Sequence, residues 1–184
     1  MRRALVIIDV QKGVLGGHTP ERKPAIDAAY DHVVGRLADL KDKARAAGIP
    51  VIVVQHDDPA GSSIAVGTTG WELRPEIAPV DGEVLVNKRS CDSFFDTDLD
   101  QRLRERAVTH LVIGGCATQF CVDTTARRAV TLGYDVTLVS DGHMTADRGG
   151  LSFEQIIAHH NATLDGFDAG EHIVDVKAAN AIAF

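Results

Sequence analysis

At 184 residues, with 45% hydrophobic and 24% charged side chains, the chain has the size and composition of one globular domain, residues 1–184, with a substantial core. Its net charge of −7, with Lys and Arg dispersed among acids, leaves no basic stripe and excludes nucleic acid as an expected partner. The apolar run after Arg2 and Arg3 lasts only from Ala4 to Ile8, too short for a signal peptide or membrane span, so a cytoplasmic protein without a membrane partner is expected.

The elements follow in chain order. "ALVIID" (4–9) reads as a buried strand. The segment "VQKGVLGGHTPERKP" after it holds the pair Gly16-Gly17, a loop signal, and no G-x-G-x-x-G. Ile26, Tyr30, Val33, Leu37, Leu40, Ala44 and Ala47 recur at spacings of three and four, the pattern of an amphipathic helix, which Gly48 and Pro50 end. "VIVVQH" (51–56) is the second strand. Residues 57–83, rich in Gly, Pro and Ser, form a long loop with one helical turn around Trp71. "EVLVNK" (83–88) is the third strand, and Thr97 caps a short helix running to about Glu105. "HLVIGG" (110–115) is the fourth strand, followed by a helix from about Thr118 to Leu132, with Thr118 as its N-cap. "DVTLVSD" (135–141) is the fifth, with Asp141 as a turn cap. Ser152 and Gln155 form a capping box for a helix to about Leu164, and "HIVDV" (172–176) is the sixth strand.

Continuous Val, Ile and Leu strands separated by helices imply an α/β fold: three layers, a doubly wound six-stranded parallel sheet of order 3-2-1-4-5-6, helices on both faces. Ligands bind such sheets at the carboxyl ends of the strands where the order reverses, here between strands 1 and 4. Asp9, Lys88 and the segment bearing Cys121 end strands 1, 3 and 4. Taken singly, each has a plain explanation: a cap, a solvated cation, a core thiol. Together they supply a base, a cation and a nucleophile at one edge. A thiol attacks as thiolate, and a helix N-terminus and Lys88 both favour that form. Backbone N–H groups of Ala117 and Cys121 would form an oxyanion hole, and Asp9 would take the thiol proton and return it to a leaving amine.

The other candidates carry two readings each. Trp71, Phe94 and Phe120 either wall an apolar substrate site or pack in the core or an interface. Gln11, Gln55 and His56 are either polar neighbours of the site or makers of structural hydrogen bonds. Cys116 reads as packing under the loop; Cys91 has no helix terminus behind it. A zinc site from Cys116 and Cys121 lacks matching ligand spacing, and a disulfide between them is not expected in a reducing compartment. His159 and His160, adjacent on a helix, read as surface or interface residues.

With these residues assembled, the chain resembles the isochorismatase-like cysteine hydrolases, the superfamily of nicotinamidases and N-carbamoylsarcosine amidase. The resemblance rests on "VIIDVQKG", "VVQHDDPAGSS", "GWELRPEI", "VNKRSCDSFFDTDL", "GGCATQFCVDTTARRA" and "SDGHMT". It implies a triad of Asp9, Lys88 and Cys121 and a cis peptide at Cys116–Ala117. It implies a homo-oligomer, dimer or tetramer. The loop after strand 2 has His56 and no further histidine, so the metal-assisted binding of nicotinamidases is not implied: no metal and no cofactor are expected. The expected function is hydrolysis of a small-molecule amide, carbamoyl or ureido substrate through a thioester. Two alternatives stand beside it: isochorismatase-type vinyl-ether hydrolysis, which does not use a cysteine, and a non-catalytic doubly wound ligand-binding module.

Overall fold

A computed structural model describes residues 2–16 and 19–184, so Gly17 of the Gly16-Gly17 pair lies outside the described residues. The strands are β1 (Arg3–Ile8), β2 (Val51–His56), β3 (Val84–Lys88), β4 (His110–Cys116), β5 (Asp135–Met144), β6 (Asp168–Ala169) and β7 (His172–Lys177). The helices are α1 (Lys23–Ala46), α2 (Leu99–Glu105), α3 (Asp123–Thr131) and α4 (Phe153–Leu164). The sheet order is β3-β2-β1-β4-β5-β7-β6. Every pair is parallel except β6 with β7. The order therefore reverses between β1 and β4, as expected. The expected sixth strand is β7, and β6 is an added two-residue edge strand that turns back onto it through Gly170, at φ 67°.

β1 is apolar throughout because both its faces are covered. Ala4, Val6 and Ile8 pack with Leu99 and Leu103 of α2 and Ala126, Ala129 and Val130 of α3. Leu5 and Ile7 pack with the stripe Ile26, Tyr30, Val33, Leu37, Leu40 and Ala44 of α1. That helix starts three residues earlier than its apolar stripe, with Pro24 in the first turn, where no N–H is missed.

Two features bring the strand ends close. Gly115, at φ 127°, lies against β1: a Cβ there would stand 2.0 Å from the Ile8 carbonyl oxygen. Only glycine lets β4 approach at that point. The 57–83 segment is irregular, with the turn Thr68–Trp71 in place of a helix. It folds over the end of β1, where Lys12 N–H bonds Glu72 O, Gly13 N–H bonds Gly70 O and Arg74 N–H bonds Val10 O.

Two local expectations are corrected. The segment after β4 opens as a π-helical turn, Thr118–Val122, closed by Val122 N–H on Ala117 O, and α3 starts only at Asp123. Thr118 is not the N-cap; its hydroxyl is held by His143 Nδ1 at 2.9 Å. Asp141 lies inside β5 rather than capping its end, and its Oδ1 accepts from Ala179 N–H at 2.8 Å. The capping box of Ser152 and Gln155 is present in full.

Candidate active site

Asp9 follows the last residue of β1, Lys88 ends β3, and Cys121 sits in the π-helical turn after β4. The three side chains meet in the interior, 1%, 2% and 8% exposed respectively. Lys88 Nζ lies 2.6 Å from Asp9 Oδ2 and 3.2 Å from Cys121 Sγ. Asp9 takes a positive φ of 52° as the chain leaves the sheet, with its N–H still bonded to Val54 O of β2. The Asp9 carboxylate also shares a side-chain hydrogen bond with the Cys121 thiol.

Burial sets the protonation here. It pushes the Asp9 carboxyl up, more than the Lys88 ammonium pulls it down. It also pushes the Cys121 thiol up, with the Asp9 charge acting the same way and Lys88 opposing both. Lys88 would lose charge through burial, but Asp9 and Cys121 hold it raised. The expectation of a depressed thiol is thus corrected for the resting site: Lys88 acts in the expected direction and is outweighed by burial. Cys116 is fully buried against the face packed by α1, and Cys91 is exposed; all three cysteines are free. The peptide between Cys116 and Ala117 is cis.

A fourth side chain, His56 at the end of β2, joins the cluster. Its Nδ1 lies 2.8 Å from Lys88 Nζ and 3.9 Å from Asp9 Oδ2, and its Nε2 lies 3.0 Å from Asp58 Oδ1. The donor atoms of Asp9, His56 and Cys121 lie within 4.8 Å of one another, close enough to surround a cation. The cation among them is the Lys88 ammonium itself, in contact with all three.

The remaining candidates are set around this core. Gln11 is fully buried and its amide brackets the end of β2, donating to His56 O and accepting from His56 N–H, both at 3.0 Å. Gln11 and Gln55 also each donate to Trp71 O at 2.9 Å, so the two amides hold the long loop. Trp71 is half-buried, with its indole N–H on Asp57 Oδ1 at 2.8 Å. Phe94 belongs to the same apolar cluster as Cys121 and stacks on Tyr134. Phe120, 36% exposed, lies under the Arg148 guanidinium at 5.0 Å. Asp58 and the contact between Thr118 and His143 were not read from the sequence, which took Thr118 for an N-cap. The run "QHDD" carries the first signal, an acid two residues after the histidine. The second pair is 25 residues apart and has no local signature.

A family profile described as Isochorismatase domain matches residues 3–164. Streptothricin hydrolase from Streptomyces noursei is 39% identical over 145 residues, 79% of this chain and 55% of that protein. This chain thus spans about half the length of that relative. Ureidoacrylate amidohydrolase from Variovorax paradoxus is 27% identical over 195 residues, 89% of this chain and 76% of that protein. The crystal structure of N-carbamoylsarcosine amidase from Thermoplasma acidophilum superposes with a TM-score of 0.75 at 26% identity, covering 99% of each chain.

Proposed function

Because the chain belongs to the isochorismatase family of hydrolases, we propose that it is a cysteine hydrolase of a small amide, carbamoyl or ureido compound, working through a thioester. The observation that carries this reading is the contact of one buried ammonium with both a carboxylate and a thiol, at 2.6 and 3.2 Å. Relatives named ureidoacrylate amidohydrolase and N-carbamoylsarcosine amidase support the choice of bond.

In this mechanism Asp9 takes the Cys121 proton along the hydrogen bond the two share as sulfur attacks the carbonyl carbon. The oxyanion is received by the N–H groups of Ala117 and Cys121. The C–N bond breaks as Asp9 returns the proton to nitrogen, and ammonia or an amine leaves. Water then gives a proton to Asp9 and its oxygen to the thioester carbon; the acid departs and the sulfur regains its proton. A carboxyl pushed up by burial is a stronger proton acceptor, which suits this alternation. Lys88 holds Asp9 and lowers the cost of the thiolate. Trp71 and Phe120 wall the substrate, Phe94 backs the nucleophile, and Gln11 and Gln55 shape the site by fixing the loop.

The test is an ammonia-release screen over amides, carbamoyl compounds and ureides with the intact protein and Cys121→Ala. Turnover is expected to vanish in Cys121→Ala and to survive in Cys91→Ser. Wild-type turnover by Cys121→Ala on any substrate so found overturns the reading.

A further inference from the structure

The Lys88 ammonium has three N–H donors but four acceptors around it. Asp9 Oδ2, His56 Nδ1 and Ser90 O stand at 2.6, 2.8 and 2.9 Å, and Cys121 Sγ is the most distant at 3.2 Å. His56 Nδ1 faces a cation that can only donate, so that nitrogen is the acceptor and the ring proton sits on Nε2. Nε2 in turn meets Asp58 Oδ1 at 3.0 Å. Asp58 is itself held, because its Oδ2 accepts from Ser62 Oγ at 2.6 Å. The chain Ser62–Asp58–His56–Lys88 therefore has one consistent set of donors and acceptors, running from the loop after β2 to the thiol.

We propose that His56 and Asp58 are positioning residues: Asp58 fixes the imidazole tautomer, and His56 Nδ1 fixes the Lys88 ammonium between Asp9 and Cys121. This extends the assignment of Cys121 as nucleophile and rests on it. The ring is not needed to hold β2, because both the N–H and the C=O of His56 are bonded by the Gln11 side chain. Without the ring, the ammonium keeps Asp9 and Ser90 O but loses the third anchor that sets its direction. Without Asp58, the ring is free to protonate Nδ1, which then meets the ammonium donor to donor.

The experiment reads the rate of iodoacetamide labelling of Cys121 at neutral pH by mass spectrometry, in a Cys91→Ser background, since Cys91 is exposed and Cys116 fully buried. His56→Ala is expected to slow labelling by about three- to tenfold. His56→Asn, whose amide oxygen can replace Nδ1 as acceptor, is expected to recover most of the rate. On a substrate from the screen, His56→Ala should lower kcat with little change in KM. Nitrogen NMR of the imidazole should show the Nε2–H tautomer in the parent and a mixture in Asp58→Ala. Labelling by His56→Ala equal to the parent, no gain in His56→Asn, or an Nδ1–H tautomer in the parent overturns the proposal. If Lys88→Met slows labelling and His56→Ala does not, the relay fails while the nucleophile stands. Turnover retained in Cys121→Ala instead removes the nucleophile on which the relay rests. Should His56→Ala not fold, the Asn variant and the parent tautomer decide.

Discussion

Asp9 and Cys121 contend for one proton, and both are pushed toward holding it. Burial thus works against the Cys121 thiolate in the resting site. Cys121 is expected to label with iodoacetamide more slowly than exposed Cys91 at neutral pH, and its rate should rise about tenfold per unit of pH. The variants separate the two neighbours. Lys88→Met removes the one influence that lowers the thiol and should slow labelling further. Asp9→Asn removes a negative charge that raises it and should speed labelling, while turnover falls by about 10²- to 10⁴-fold for want of a base. Labelling slowed in Asp9→Asn would show that the carboxylate does not act on the thiol electrostatically. That these three side chains meet was legible in part: Asp9 and the turn bearing Cys121 leave the two strands that flank the reversal, while Lys88 reaches in from the edge strand β3. The direction in which the thiol is pushed was not, because it depends on burial, and burial is set by side chains far away in sequence.

Among the elements, the π-helical turn that carries Cys121 is tied at its start by a buried strut. Thr118 Oγ1 meets His143 Nδ1 of β5, and His143 Nε2 meets Asn161 Oδ1 of α4, each at 2.9 Å. Burial pulls His143 from its ordinary 6.5 down to about 4, so it is neutral in the folded protein. In the unfolded chain it takes a proton near the ordinary value. Between those limits the unfolded state binds more protons, so stability is complete above about pH 6.5 and is lost as the pH falls toward 4. The loss is on the order of 3 kcal/mol. Urea midpoints on either side of this window check it: His143→Gln should flatten the part of the pH dependence that this residue supplies, and a slope unchanged from wild type would exclude the strut as its source. Gly115→Ala should cost several kcal/mol in the same assay, because its Cβ would collide with the Ile8 carbonyl. The strands and α1 were readable from apolar runs and spacing, and the capping box from Ser152 and Gln155. The π-helical turn was not, since five residues are too few to tell its period from that of an α-helix. Two-residue β6 is too short to leave a pattern at all.

At the scale of the whole molecule, the sheet delivers a cation of its own to the place where a metal ion would be gathered. Lys88 Nζ already touches Asp9, His56 and Cys121. Hydrolysis is therefore expected to survive prolonged chelation, with elemental analysis of the treated protein as the control; activity lost to chelation and restored by zinc, iron or manganese would refute it. No helix among the described residues is long and apolar enough to cross a membrane. The strand order also divides the site. β1, β2 and β3 are neighbours in the sheet and come first in the chain, so Asp9, His56 and Lys88 all belong to its first half; Cys121 belongs to the half that starts at β4. A gene cut between α2 and β4 would yield one polypeptide with Asp9 and Lys88 and another with Cys121, each expected to be inert. Hydrolysis regained on mixing them would then be a direct readout of β4 docking beside β1, a reporter of reassembly written into the order in which the sheet is built.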